Sequence, residues 1–174
     1  MKWLEESIMA KRGVGAGRKP VTHHLTEEMR KEFHYTIGPY STPVLTIEPG
    51  DRIIVDTRDA FEGAINSEQD IPSQLLKMPF LNPQNGPIMV NGAEKGDVLA
   101  VYIESMLPRG VDPYGICAMI PHFGGLTGTD LTAMLNDPLP EKVRMIKLDS
   151  EKVYWSKRHT LPYKPHIGTL SVSP

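Results

Sequence analysis

The chain is poor in cysteine, with Cys117 standing alone among 174 residues. A single thiol excludes an intrachain disulfide framework and fits a reducing compartment. No apolar run approaches the roughly 20 residues of a membrane-crossing helix, and the N-terminus has no apolar signal core. The cytoplasm is therefore the expected location, with no membrane partner. An excess of one charge is missing too: the net charge of -2 and a pI near 6.3 provide no basic field for nucleic acid, and no Lys/Arg cluster is interleaved with aromatics. HExxH, CxxC and GxSxG motifs are absent, and nothing resembles a catalytic serine–lysine pairing. GVGAG near residue 15 neither follows a strand nor opens a convincing helix, so it does not read as a phosphate loop.

What the chain has in quantity is punctuation. Sixteen prolines and fifteen glycines break it into short apolar runs, which favours β structure over a helical bundle. Residues 1–20 read as an N-terminal arm: MKWLEESIMAKR suits a short helix that GVGAGRKP then ends. Strands are expected at Val21–Thr26, Pro43–Ile47, Arg52–Thr57, Ile88–Val90, Val98–Ser105, Val143–Asp149, Val153–Trp155 and Gly168–Val172. VLAVYIES alternates cleanly, with Val98, Ala100 and Tyr102 on one face and Leu99, Val101 and Ile103 on the other, and is expected to be a packed strand. Two segments suit helices, Ser73–Lys77 before Pro79 and Thr129–Leu135 before Pro138. Many short strands between turns predict a β-sandwich or jelly roll over residues 21–174, in one domain or most of one.

The densest stretch is Pro43–Gly63. Val44, Leu45 and Ile47 lead into Pro49-Gly50, Arg52–Thr57 resumes the β-branched run, and three carboxylates follow closely: Asp51, Asp56 and Asp59. An acid inside IIVDT requires a partner, because an unpaired charge in an apolar strand is costly. Asp51 and Asp97 each follow a turn glycine, where an aspartate commonly bonds turn backbone. Glu94 lies in a hairpin-like turn, either solvated or at a site. His122 sits between Pro121 and Phe123-Gly124-Gly125, as a ligand or oxyanion donor or as a satisfied structural histidine. His23 and His24 are adjacent, so on a strand they point to opposite faces. His34 precedes the motif-bearing stretch and could approach a site there, His159 is in a charged turn, and Cys117 in YGICAM reads as a buried small hydrophobe rather than a nucleophile.

These motifs together resemble the acetamidase/formamidase family. Pro49-Gly50-Asp51 followed by Asp56-Thr57-Arg58-Asp59 is similar to its proline-glycine-aspartate turn and acid-threonine-x-aspartate signature. Asn85-Gly86-Pro87-Ile88 with Gly92-Ala93-Glu94-Lys95-Gly96-Asp97 resembles its N-x-x-G-P-I/V and G-A-E-x-G-D segments. Ile120–Gly125 resembles its proline/glycine-rich loop, and Ile167–Pro174 its I-G-T-I-G-V-A-P run. All four occur in the family's order. Glu62-Gly63-Ala64, where many members have glycine-glycine-glutamine, and His166, at a more often apolar position, depart from it.

The resemblance implies a jelly-roll β-sandwich with a few short helices, and hydrolysis of a short aliphatic amide to carboxylate and ammonia. It also implies that the family's histidine- and glycine-rich half, with H-G-G-N-M-D-like and G-D-x-H-A-x-Q-G-D-G-E-like segments, is absent here, so that a separate chain or segment completes the fold. Amide hydrolysis needs a nucleophile and a polarised carbonyl, and a divalent ion supplies both. The leading constellation is Asp56, Asp59, Glu94, Asp97 and His122. Asp56, Asp59 and Glu94 are the expected catalytic carboxylates, His122 and Gly124 the substrate donors, and Asp59 and His122 ligands of zinc or a similar ion. Homo-oligomers are expected, and an isolated chain without activity. The competing expectation is a non-catalytic binding or structural subunit, the remnant of a disrupted amidase.

Overall fold

The computed structural model describes residues 18–30, 32–124 and 139–173. The chain divides into two packing units. One contains the described residues up to Thr57, with Gln84–Val101 and the described residues from Ser171; the other contains Arg58–Pro83 and the described residues of Tyr102–Leu170.

The first unit is built on two parallel ladders. Strand β1 (Thr22–Leu25) pairs with β3 (Arg52–Val55) in the register His23↔Ile53 and Leu25↔Val55. Strand β2 (Leu45–Ile47) pairs with β4 (Ile88–Val90), and the bonds Val44 N–H to Pro87 O (2.9 Å) and Asn91 N–H to Ile47 O (2.8 Å) extend that ladder at both ends. Leu25 and Ile47 are buried, because in each short strand the alternation turns the last apolar residue inward. The expected strands Val21–Thr26, Pro43–Ile47, Arg52–Thr57 and Ile88–Val90 are thus present, trimmed by a residue or two at most ends.

In the second unit, helix α1 (Pro72–Leu75) opens with proline at its first position and closes through Leu76 N–H to Pro72 O at 2.9 Å. It realises the expected helix near Ser73, ending two residues sooner. Ser73 donates from backbone N–H and Oγ to Glu141 at 2.7 and 2.6 Å, tying α1 to the entry of β6 (Lys142–Lys147). Strand β5 (Tyr114–Met119) pairs antiparallel with β6, and β7 (Lys152–Val153) with β8 (Leu161–Pro162). Val143 and Ile146 of β6 join Ile65 and Leu81 in this unit's core. Between β6 and β7, Asp149 accepts the N–H groups of Glu151 and Lys152 and the Tyr154 hydroxyl, at 2.8, 2.7 and 2.8 Å. Those bonds hold its carboxyl below the usual range and push the Tyr154 phenol up.

The described residues therefore carry strands and one four-residue helix, as the all-β reading expects, and no described helix is long and apolar enough to cross a membrane. Three expectations are corrected. Val98–Ser105 forms no ladder: Val98 is 96% exposed and Tyr102 86%. Alternation marks a strand's two faces but supplies no hydrogen-bonding neighbour, and no described strand provides one. Gly168–Val172 is likewise unpaired, with Leu170 and Val172 exposed. Cys117 is exposed rather than buried, because YGICAM is itself a strand, β5, and turns the thiol outward. The expected helix Thr129–Leu135 and nearly all of the N-terminal arm lie outside the described residues.

Candidate active site

Asp51 is the most heavily bonded side chain of the acidic stretch. Its carboxylate accepts two bonds from the Arg18 guanidinium (2.6 and 2.9 Å) and the N–H groups of Val21 (2.9 Å) and Glu48 (3.1 Å), and lies 3.0 Å from His23 Nε2. The side chain is 1% exposed. Arg18 first, then the backbone donors and His23, hold its carboxyl far below the ordinary carboxylate range. Every available acceptor direction is turned onto the chain itself, so Asp51 locks the Pro49-Gly50 turn to the entry of β1, as a turn aspartate does.

Asp56 follows β3 directly. Its N–H donates to Leu25 O (3.1 Å), so the β1–β3 ladder runs one bond past the strand's end, and its carbonyl accepts Arg30 Nη2 at 2.6 Å. Its carboxylate meets His24 Nε2 at 3.1 Å, with the carboxylate 31% and the imidazole 51% exposed. The partner that an acid beside this strand requires is therefore His24. The opposite faces of adjacent strand residues explain the arrangement: His23 reaches the acid before β3 and His24 the acid after it. The sequence reading set the two histidines on opposite faces but did not pair them with the acids; the signal available was two adjacent histidines on a strand, and two aspartates bracketing another.

Glu94 and Asp97 close one turn. Glu94 N–H donates to the Asp97 carboxylate at 2.9 Å and Asp97 N–H returns to Glu94 O at 3.0 Å, with Gly96 at φ +98° between them. Asp97 is thereby a turn-holding residue, and the Glu94 side chain is exposed.

Asp59, in the second unit, caps its own turn. Its two carboxylate oxygens accept Phe61 N–H (2.7 Å) and Gly63 N–H (2.9 Å), while Glu62 N–H bonds Asp59 O at 3.1 Å. Glu62, at φ +55°, takes the left-handed conformation this tight loop needs. His122 is also left-handed, at φ +57°, in an exposed turn that Phe123 N–H to Ile120 O (3.3 Å) closes just after β5; Gly124 follows at φ +131°. A bulky residue held in that region carries backbone strain, a feature that concentrates at functional positions.

The sequence constellation is thus distributed: Asp56, Glu94 and Asp97 belong to the first unit, Asp59, His122 and Gly124 to the second. Among the described residues no three histidine, cysteine, aspartate or glutamate side chains form a group that could hold a metal ion. The donors present do not make a zinc shell. His34 joins Gln84 through a backbone bridge, Gln84 N–H to His34 O at 2.7 Å, and His159 sits against Ser156 Oγ (3.1 Å) in an exposed turn. Two open cavities of about 470 and 420 Å³ lie along β7 and β8, lined by residues such as Tyr154, Trp155, His159 and Leu161, and include none of the expected site residues. The chemistry, not the concavity, marks the candidate site.

Comparison with known proteins fits the motifs to a family. The sequence profile of the acetamidase/formamidase family matches residues 20–174. An acetamidase of known structure from Yersinia enterocolitica is 95% identical and overlays 99% of this chain with a TM-score of 0.89, while this chain covers 52% of it. A solved predicted acetamidase/formamidase from Thermoanaerobacter tengcongensis is 25% identical with a TM-score of 0.71, covering 90% of this chain and 47% of its own. A curated Schizosaccharomyces pombe protein, named provisionally as a formamidase, is 26% identical over 137 residues, or 74% of this chain and 31% of its own length. The chain spans about half the length of these solved structures and less of the curated relative.

Proposed function

This chain belongs to the acetamidase/formamidase family, and from that premise we propose that it is part of an amidohydrolase that converts a short aliphatic amide of the formamide or acetamide type, with water, to a carboxylate and ammonia. The observation that carries the reading is the family match over residues 20–174 together with the 95% identity to an acetamidase. In the completed enzyme the fold is a jelly-roll sandwich, and polypeptide beyond these 174 residues supplies the rest of the site.

The roles follow from donor and acceptor chemistry. Asp56, oriented by His24, and Asp59 are the acids that position the attacking water or protonate the departing amine. Glu94 is a third carboxylate. His122 and Gly124, in a left-handed turn, supply donors to the developing oxyanion. Asp59 and His122 are the residues of this chain that would hold a divalent metal, zinc or similar, which would supply Lewis acidity toward the amide carbonyl. Since the described residues form no ligand group of three, such an ion would need further ligands from outside them. The site works in a cytoplasmic homo-oligomer.

Ammonia release from formamide and acetamide by this chain, co-expressed with the portion of the Yersinia enterocolitica acetamidase that it does not cover, tests the proposal. Turnover is expected. A co-purified, folded complex that hydrolyses neither amide would instead support a non-catalytic structural subunit.

A further inference from the structure

Strand β5 has β6 as its sole strand neighbour among the described residues. The register shows what its other edge presents. Met145 N–H turns away from β5 to the Glu68 carboxylate (3.1 Å), and Lys147 O turns away to accept Tyr154 N–H (2.8 Å). Met145 and Lys147 stand opposite Ile116 and Tyr114. In an antiparallel ladder the groups of such non-bonded pairs point outward on both strands, so Tyr114, Ile116 and Ala118 turn their N–H and C=O groups away from β6, roughly 7 Å apart along the strand. The outer edge of β6 is closed by Glu68 and Tyr154. Among the described residues nothing equivalent closes β5.

The side chains are equally unprotected. YGICAM carries no charge and no proline, the usual guards of an edge, whereas KVRMIK of β6 carries Lys142, Arg144 and Lys147. Tyr114, Cys117 and Met119 are exposed. We infer that β5 is an acceptor edge, onto which a strand of the polypeptide completing the amidase fold adds by backbone pairing. The inference rests on the family reading. The occupant follows from the comparison: the 95%-identical acetamidase overlays nearly all of this chain, which covers only 52% of it. Where that polypeptide is continuous with this chain, its strand pairs without the translational and rotational cost that a second copy bears. The strand it contributes is uncharged opposite β5, since a charge there would be desolvated against Ile116 and Met119 without a partner.

Residue-resolved amide exchange on the 174-residue chain, alone and co-expressed with the rest of the Yersinia enterocolitica acetamidase, provides the test. Alone, the amides of Gly115, Cys117 and Met119, bonded to β6, exchange slowly, and those of Tyr114, Ile116 and Ala118 quickly. In the complex the second set slows at least tenfold. Tyr114→Pro removes one outward donor at the first strand position, where proline leaves the β6 ladder intact, and weakens association roughly three- to tenfold, one hydrogen bond's worth. Three results overturn the inference: no association, association with these amides still fast, or amides already slow in the chain alone as its concentration rises. A complex with protected amides but no amide hydrolysis leaves the acceptor edge standing and sinks the proposed function.

Discussion

Asp51 and Asp59 show two fates for an acid beside a turn. Asp51 is enclosed by Arg18, His23 and two backbone donors, and its carboxyl is held below the ordinary range. A depressed folded value contributes stability that is fully present above the unfolded pKa, about 3.9, and is lost as pH falls through the folded value. Asp51→Asn should therefore be less stable than wild type by a constant margin above about pH 5, a margin that shrinks below about pH 4. Urea midpoints across pH 2–7, roughly, check this; a margin that grows toward acid would contradict it. Asp59 has its two oxygens in its own turn. Asp59→Asn keeps one acceptor and turns an amide against the other N–H, costing about 1 kcal/mol. If it also positions water, turnover of the completed enzyme falls roughly a hundredfold. Loss of stability with full turnover would leave Asp59 a structural residue. The residue types of the candidate site were legible in the sequence because PGD and DTRD are local patterns. The His23–Asp51 and His24–Asp56 pairs were not, since they depend on β1 lying parallel to β3 across about thirty residues of intervening chain.

Short strands behave according to their neighbours. Leu25 is fully buried where β1 meets β3, and Leu25→Ala should cost about 2–5 kcal/mol through lost burial and the cavity left behind. Val98 is equally apolar and 96% exposed, so Val98→Ala in the isolated chain should change stability by less than about 0.5 kcal/mol. Chemical denaturation of both variants makes the comparison, and a large cost at Val98 would show that Val98–Ser105 is packed after all. The same contrast explains what the sequence conveyed of the fold. β1 to β4 and β6 could be read because β-branched runs bounded by Pro, Gly and Asp coincide with real ladders. Val98–Ser105 has the stronger pattern but no partner among the described residues, and pairing is the half of strand formation that a local pattern cannot encode. β5 escaped because its glycine and alanine blur the alternation of YGICAM, and register with β6 fixes it instead.

At the scale of the whole molecule, the two packing units leave large apolar side chains in water: Tyr102, Leu107 and Val111 are among those more than two-thirds exposed. Exposed apolar surface of that kind favours association, so the 174-residue chain alone should sediment as a heterogeneous or self-associating species, and co-expression with the rest of the amidase fold should give one defined particle. Metal should follow the same division. Elemental analysis is expected to find substoichiometric zinc on the isolated chain and stoichiometric metal in the complete protein; a full equivalent on the chain alone would place the ligand shell within these residues. The most direct measurement is ammonia release from formamide and acetamide by the purified 174-residue chain supplied with zinc, run beside the co-expressed complex. The account predicts no hydrolysis above the uncatalysed rate for the chain alone and sustained turnover for the complex, whereas sustained turnover by the chain alone would contradict it.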